Sequence, residues 1–164
     1  MIVHAGLIAR RLAGRWRGVL IQGGSGDGKS DLALRALDAG FRLVADDRTV
    51  LWSSGGALYG RAPTVLAGLI EARGQGLLRL SPIGFAEVVL AAVCSPAGAV
   101  ERLPEPAAGS LAGIEVARFL IDPFQPSAPT KLRHAMEHLG AGSQQGYLAD
   151  PLGGPHRAGT GESR

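Results

Sequence analysis

Short apolar runs separated by glycines and polar residues dominate the start of the chain. The runs over residues 3–9 and 18–22 each predict a buried strand, the second ending at a pair of glycines. The polar residues 10–17 between them predict a turn. Two strands joined in this way supply the first pieces of a sheet.

A helical pattern follows and is itself followed by an apolar run. Residues 29–39 are rich in Ala and Leu and contain neither Pro nor Gly, so they predict a helix that ends at Gly40. Residues 41–45 are again apolar and predict a strand. A strand, a helix and a strand in succession indicate the unit of a parallel sheet, so the fold class is α/β.

The rest of the chain predicts further strands and one closing helix. Strands are expected over 50–52 and 57–59, joined by a hairpin at 53–56, and over 77–80, 87–93 and 118–121. Residues 65–72 suit either a strand or a short helix, and 131–139 suit a helix. Gly, Pro and polar residues dominate 140–164, which predicts a disordered tail after a domain over 1–139.

Composition indicates a soluble, cytoplasmic globular protein. The 164 residues are 46% hydrophobic and 19% charged, and no apolar run is long enough to span a bilayer. The single cysteine, Cys94, excludes an internal disulfide and fits a reducing cytosol. The formal net charge is +3, without a run of like charges or an aromatic-rich basic patch, so neither nucleic acid nor a membrane is expected as a partner.

The strongest chemical signal is a phosphate-binding loop that fits the pattern G-x-x-x-x-G-K-S/T in full. Its residues are Gly23, Gly24, Ser25, Gly26, Asp27, Gly28, Lys29 and Ser30. Glycines let several backbone N–H groups point at one anion, and the following helix adds the positive end of its dipole. Lys29 is expected to bridge the outer phosphates of a nucleotide, and the Ser30 hydroxyl to ligate Mg²⁺.

Two carboxylates, Asp46 and Asp47, end the strand that follows the predicted helix. Ligands gather at this edge of a parallel α/β sheet. Adjacent strand residues point in opposite directions, so one carboxylate is expected to face the phosphates directly. The alternation relaxes at a strand end, so a site that both carboxylates reach is the alternative. One carboxylate is expected to hold Mg²⁺ through water and the other to accept a proton. For an Asp-Asp pair alone, a turn or cap is an equally good interpretation, but beside a phosphate-binding loop the functional interpretation is favoured.

Glu71, Arg73 and His4 carry little information by themselves. Glu71 and Arg73 share a face of an extended segment, which usually means an exposed salt bridge. A histidine close to an N-terminus is usually a surface or packing residue.

Taken together, these segments resemble the catalytic domain of bacterial HPr kinase/phosphorylase. The resemblance rests on His4-Ala5, the apolar run before the loop, the loop itself, Leu43–Asp47 and the Ile-Glu-Ala-Arg-Gly-Gln-Gly segment at 70–76. It extends from about residue 2 to about residue 80. It implies a P-loop kinase-type domain with a mixed β-sheet flanked by helices.

The resemblance also implies an activity. Members of the family use ATP to phosphorylate a serine of HPr, a small phosphocarrier protein of the sugar phosphotransferase system, and many reverse the reaction with inorganic phosphate. His4 matches the histidine that supports the catalytic aspartate, and Asp46 and Asp47 match the pair that includes the base, with Asp47 favoured. Glu71 matches a second Mg²⁺ ligand, and Arg73 belongs to the same catalytic signature.

The sequence also departs from the family pattern. Arg102, in Glu-Arg-Leu-Pro, aligns loosely with a later catalytic arginine. The loop after residue 76 is short, and residues 126–131 stand where the family has the Pro-Val-x-x-Gly-Arg segment tied to dephosphorylation. The chain therefore resembles a short form with the catalytic domain only, and the family's reverse activity and hexameric assembly are open for it.

Two other function classes fit the loop. A P-loop kinase of a small metabolite usually has its loop nearer the N-terminus and a lid rich in arginines. A nucleotide sensor without catalysis keeps Lys29 and Ser30 but needs no proton acceptor. Replacing both aspartates with Asn separates a sensor from a kinase.

Overall fold

The computed structural model describes residues 1–139, so the tail predicted over 140–164 lies outside the described residues. The helices are α1 (Lys29–Asp38) and α2 (Ala128–His138), and short 3-10 turns lie at Thr64–Leu66 and Ala97–Ala99. Within this part of the chain, neither helix combines the length and apolar character that crossing a membrane requires. The strands are β1 (Ile2–Val3), β2 (Ala5–Leu12), β3 (Arg15–Gln22), β4 (Arg42–Ala45), β5 (Thr49–Ser54), β6 (Ala57–Arg61), β7 (Leu69–Ala72), β8 (Gly76–Arg79), β9 (Ala86–Cys94), β10 (Ala107–Leu111) and β11 (Ile114–Ile121).

Most of the strands in residues 1–139 form one mixed sheet. Its order is β1-β5-β6-β9-β3-β2-β4, and the β10–β11 hairpin joins it through β11 and β9. Strand β9 runs parallel to β3 and β11, whereas the other neighbours are antiparallel. Strands β7 and β8 form a separate two-stranded ribbon. A mixed sheet flanked by helices confirms the predicted α/β class.

The predicted strand-helix-strand unit has the correct strand directions, but its two strands are not neighbours in the sheet. Strands β3 and β4 run in the same direction, yet β2 lies between them and is antiparallel to both. The turn predicted over 10–17 is also wrong in extent, because both strands continue through the arginines. Only Ala13 and Gly14 turn, with φ of 48° and 77°, which is the geometry of a two-residue hairpin.

The other predicted elements are confirmed with shifted ends. Gly55 and Gly56, with φ of 57° and 77°, make the predicted hairpin between β5 and β6. The ambiguous segment 65–72 contains both the end of a 3-10 turn and β7. Strand β10 was not predicted, because its sequence, Ala-Ala-Gly-Ser-Leu, has small residues and a weak alternation.

Two clusters of buried side chains cover the opposite faces of the sheet. One packs Leu32 of α1 and Leu132 and Met136 of α2 against Ile8 and Leu90. The other collects small and aliphatic residues of the central strands with Leu51 and Leu58 of the β5–β6 hairpin. Both faces of β2, β3 and β9 are therefore buried. This packing fixes the positions of the strand ends, including the end of β3, where the phosphate-binding loop begins.

Cys94 ends β9 beside the phosphate-binding loop. Its side chain lies against Gly23 and it is 6% exposed. Burial raises the pKa of the Cys94 thiol to about 11, and Asp27 adds to the rise while Lys29 opposes it. The thiol is therefore a small apolar core group at neutral pH.

We expect iodoacetamide to alkylate Cys94 far more slowly in the folded protein than in guanidinium. A pKa raised from 9.0 to about 11 lowers the thiolate fraction at pH 8 by about 100-fold, and burial further blocks the reagent. Alkylation followed over time by mass spectrometry measures both rates. Similar rates in the two conditions would contradict the buried position.

Candidate active site

The loop between β3 and α1 bends at two glycines with left-handed backbone. Gly26 and Gly28 have φ of 83° and 85°, which other residues adopt only with strain. Gly28 directly precedes α1, and its carbonyl accepts the N–H of Leu32 at 2.9 Å. The first amides of α1 have no partner within the helix, so they are available to an anion at the end of β3.

Polar groups of the loop hold its shape from within. The Asp27 carboxylate accepts the N–H of Gly24 at 2.5 Å. Lys29 is 7% exposed, and its Nζ donates to the carbonyl oxygens of Gly23 at 3.1 Å and Gly24 at 2.6 Å. The lysine therefore folds back over the bend, and its charge is fixed beside the amides that face an anion.

The Asp46 carboxylate connects three secondary-structure elements at the edge of the sheet next to the phosphate-binding loop. Its Oδ1 accepts the Ser30 hydroxyl at 2.8 Å, and its Oδ2 accepts the N–H of Glu71 at 3.2 Å. Only 7% of Asp46 is exposed. The carboxylate thus connects the end of β4 to the first turn of α1 and to β7.

Asp47 pairs with His4 on the open side of the same edge. His4 Nε2 lies 2.6 Å from Asp47 Oδ1, and the two side chains are 49% and 60% exposed. Asp47 has φ of 62°, a left-handed conformation that Asp tolerates better than most residues. This turn separates the two carboxylates: Asp46 faces Ser30, and Asp47 faces His4.

A cleft of about 510 Å³ brings most of the predicted residues together. It opens between the phosphate-binding loop, the start of α1 and the β7–β8 ribbon. Its lining residues are His4, Ser25, Gly26, Gly28, Lys29, Ser30, Asp31, Leu34, Asp47, Glu71, Ala72, Arg73, Gln75 and Phe124. Asp46 lies directly behind this lining, bonded to Ser30.

Arg102 is not among the residues that line the cleft. It is exposed in the segment between the second 3-10 turn and β10. The structure therefore brings His4, Lys29, Ser30, Asp46, Asp47, Glu71 and Arg73 to one region and leaves Arg102 outside that region.

Two side chains that line the cleft, Gln75 and Phe124, were not predicted as site residues. Gln75 comes from the turn of the β7–β8 ribbon, and Phe124 comes from the loop between β11 and α2. Gln75 lies within the segment that was noticed for Glu71 and Arg73. Phe124 lies almost 100 residues from the phosphate-binding loop, and only its Asp-Pro-Phe context indicates an ordered turn.

Comparison with known proteins finds similarity to HPr kinases. Residues 12–90 match the family model of the HPr Serine kinase C-terminal domain. The HPr kinase/phosphorylase of Clostridium kluyveri is 44% identical over 66 residues, which are 40% of this chain and 21% of that protein. The HPr kinase/phosphorylase of Clostridium beijerinckii is 41% identical over 73 residues, which are 44% of this chain and 24% of that protein.

A solved structure extends the likeness beyond the matched segment. The Hpr(Ser) kinase/phosphatase from Coxiella burnetii superposes with a TM-score of 0.71 at 24% identity, covering 84% of this chain and 94% of that chain. At this identity the superposition concerns the fold. The sequence matches, by contrast, span less than a quarter of the curated relatives' length. Together these comparisons show that residues 12–90 are similar to the HPr Serine kinase C-terminal domain and that the fold resembles that of a solved HPr(Ser) kinase/phosphatase.

Proposed function

We propose that residues 1–139 form a catalytic domain that transfers the γ-phosphoryl group of ATP to a serine of the phosphocarrier protein HPr. The observation that carries this proposal is the His4–Asp47 pair, 2.6 Å apart, in the same cleft as Lys29 and Ser30. A base and a phosphate cradle that face one space are what phosphoryl transfer to a hydroxyl requires.

Phosphate binding falls to the loop and the start of α1. The amides at the helix start and the Lys29 ammonium carry the positive potential that a triphosphate needs. Arg73, on the ribbon side of the cleft, adds a second cation to the space in which charge develops during transfer.

The oxygen groups around Ser30 fit Mg²⁺. Ser30 and Glu71 would hold the ion, and Asp46 would reach it through water. Magnesium sites in proteins combine one or two carboxylates with substrate phosphates, so this small set suffices. When bound, Mg²⁺ would neutralise charge on the phosphates. Among residues 1–139, no three His, Cys, Asp or Glu side chains are grouped so that they could hold a metal ion by themselves, so the substrate phosphates would complete the site.

Asp47 would act as the base for the serine hydroxyl. As the serine oxygen forms its bond to the γ-phosphorus, the bond from phosphorus to the bridging oxygen of ATP breaks, giving phosphoserine and ADP. The hydroxyl proton passes to Asp47. An ionised carboxylate only accepts hydrogen bonds, so His4 Nε2 donates to it and fixes the carboxylate towards the cleft.

HPr as substrate is supported by the names of the relatives that the chain matches. On the same resemblance we propose a role in regulating the sugar phosphotransferase system in the cytoplasm and assembly into homo-oligomers, hexamers in the family. Reversal by inorganic phosphate remains a separate question, because residues 126–131 differ from the segment that the family uses for it.

The decisive experiment incubates the purified chain with HPr, Mg²⁺ and radiolabelled ATP. We expect label on one serine of HPr, located by mass spectrometry, and its release by excess phosphate measures reversal. ATP consumption with a metabolite extract but no labelled HPr would support a small-molecule kinase instead. ATP binding with neither turnover would support a sensor.

Replacing Lys29 with Ala should lower transfer to HPr by at least about 100-fold, because the outer phosphates lose their cation. The initial rate of labelling measures this loss. Arg11→Ala is the matched control, since Arg11 is an exposed cation near the far end of β2. Equal rates for Lys29→Ala and the wild type would show that the phosphate-binding loop takes no part in the transfer.

Replacing each aspartate should change a different measured quantity: kcat for Asp47 and Mg²⁺-dependent nucleotide binding for Asp46. Asp47→Asn is expected to lower kcat by about 100-fold or more with little change in the affinity for MgATP, because only the proton acceptor is lost. Asp46→Asn should chiefly weaken the Mg²⁺-dependent part of nucleotide binding. Steady-state kinetics and calorimetric titration with and without Mg²⁺ distinguish the two effects. Unchanged kcat in Asp47→Asn would exclude Asp47 as the base.

A further inference from the structure

An exposed aromatic ring stands over the phosphate-binding loop without a role in the proposed chemistry. Phe124 is 66% exposed and lines the cleft. Among the described residues of that lining it is the only phenyl ring. Of the exposed large apolar side chains in residues 1–139, Phe124 is the one that lines the cleft, so a ligand bound in the cleft would cover it.

The ring contacts the loop backbone directly. A Cβ built on Gly28 would come 2.9 Å from Cζ of Phe124, a distance that real Cβ atoms do not reach. Gly28 therefore serves two needs: it adopts a positive φ, and it leaves room for the ring. The Phe124 ring thus lies against Gly28, the residue before Lys29, at the edge of the phosphate-binding loop.

The segment that carries Phe124 is firmly attached to α1. Arg35 donates from Nη2 to the carbonyl of Pro123 and from Nη1 to the carbonyl of Gln125 at 3.5 Å. The Nε of Arg35 also donates to Asp31 at 2.8 Å, which orients the guanidinium.

A second bond orders the residue itself. The backbone N–H of Phe124 donates to the Asp122 carboxylate at 3.0 Å. Ordered backbone on both sides of an uncovered ring means that the ring is held in place before any ligand arrives, which reduces the entropy lost on binding.

We propose that Phe124 is the stacking platform for the base of the nucleotide whose phosphates occupy the loop. The proposal rests on the proposed function and adds to it the side chain that receives the nucleoside end of the substrate. A flat, exposed ring beside the cradle suits a planar base. Because every base has a π-face, stacking alone accepts either purine, so ATP and GTP should depend on Phe124 to a similar extent.

The test compares ligands with and without a base. MgATP, MgGTP and inorganic tripolyphosphate are titrated calorimetrically into the wild type, Phe124→Ala and Phe124→Trp. We expect Phe124→Ala to weaken both nucleotides by about 5- to 100-fold, as loss of one stacking contact implies. Tripolyphosphate binding should be unchanged, and Phe124→Trp should restore nucleotide affinity.

Phe85→Ala is the matched control. Phe85 is 57% exposed and packs near Trp52 and Tyr59, outside the residues that line the cleft, so its loss removes a similar ring without touching the nucleotide. Circular dichroism and thermal melting check that each variant is folded.

Several outcomes would overturn the proposal. Equal weakening of nucleotides and tripolyphosphate would mean that Phe124 only shapes the loop. Unchanged nucleotide affinity with a raised KM for HPr would assign the ring to protein docking. If the wild type binds neither tripolyphosphate nor nucleotide, the proposed function fails together with this inference, whereas nucleotide binding that is insensitive to Phe124 removes this inference alone.

Discussion

The geometry of the cleft depends on the hydrogen bonds that the buried carboxylate of Asp46 accepts. It accepts hydrogen bonds from the Ser30 hydroxyl and the Glu71 amide, so it connects α1, β4 and β7 at one point. Hydrogen bonds to a charged group contribute about 1.5–3 kcal/mol each, more than neutral ones. These bonds hold Ser30 and Glu71, both of which line the cleft, to the same carboxylate. The bond from the Glu71 amide attaches the β7–β8 ribbon to the end of β4.

The order of the strands explains why a histidine from the start of the chain meets Asp47. Strand β2 lies between β3 and β4 and is antiparallel to β4, with Leu7 opposite Ala45. The start of β2 therefore lies beside the end of β4, and the residue before β2 is His4. In a sheet with β3 and β4 adjacent, this histidine would be elsewhere. The inserted strand thus supplies the partner of the candidate base.

Local sequence predicted the elements whose signals lie within a few residues. The phosphate-binding loop, α1 and the Gly55-Gly56 hairpin follow from glycines and periodicity at fixed spacing. The hairpins at Ala13-Gly14 and Ala112-Gly113 use the same left-handed geometry, with φ of 48° and 49° at the alanines. Alanine rarely adopts that conformation, so the two Ala-Gly pairs are not recognised from the sequence as the residues that turn, even where a turn was predicted over 10–17.

Contacts between distant segments were beyond local reasoning. Asp46 and Asp47 were recognised as a pair, but which one faces Ser30 depends on the left-handed backbone at Asp47 and on the amide of Glu71. The family resemblance supplied His4, and the strand order explains it. Arg102 lies outside the lining of the cleft, so its predicted role is still a prediction. Nothing in the sequence near Phe124 points to the loop that it covers.

Several features that are unfavourable by themselves lie around the cleft. Gly26, Gly28 and Asp47 have positive φ beside the cleft, and Phe124 leaves its ring in water there. Outside the cleft, most positive φ values occur in turns, where they follow from hairpin geometry or helix ends. A folded chain retains unfavourable conformations where the surrounding packing holds them in place. The two buried clusters on the opposite faces of β2, β3 and β9 provide that packing. The cleft combines amides, cations and an exposed ring on one packed surface, the combination that the proposed nucleotide, anionic at one end and planar at the other, would require.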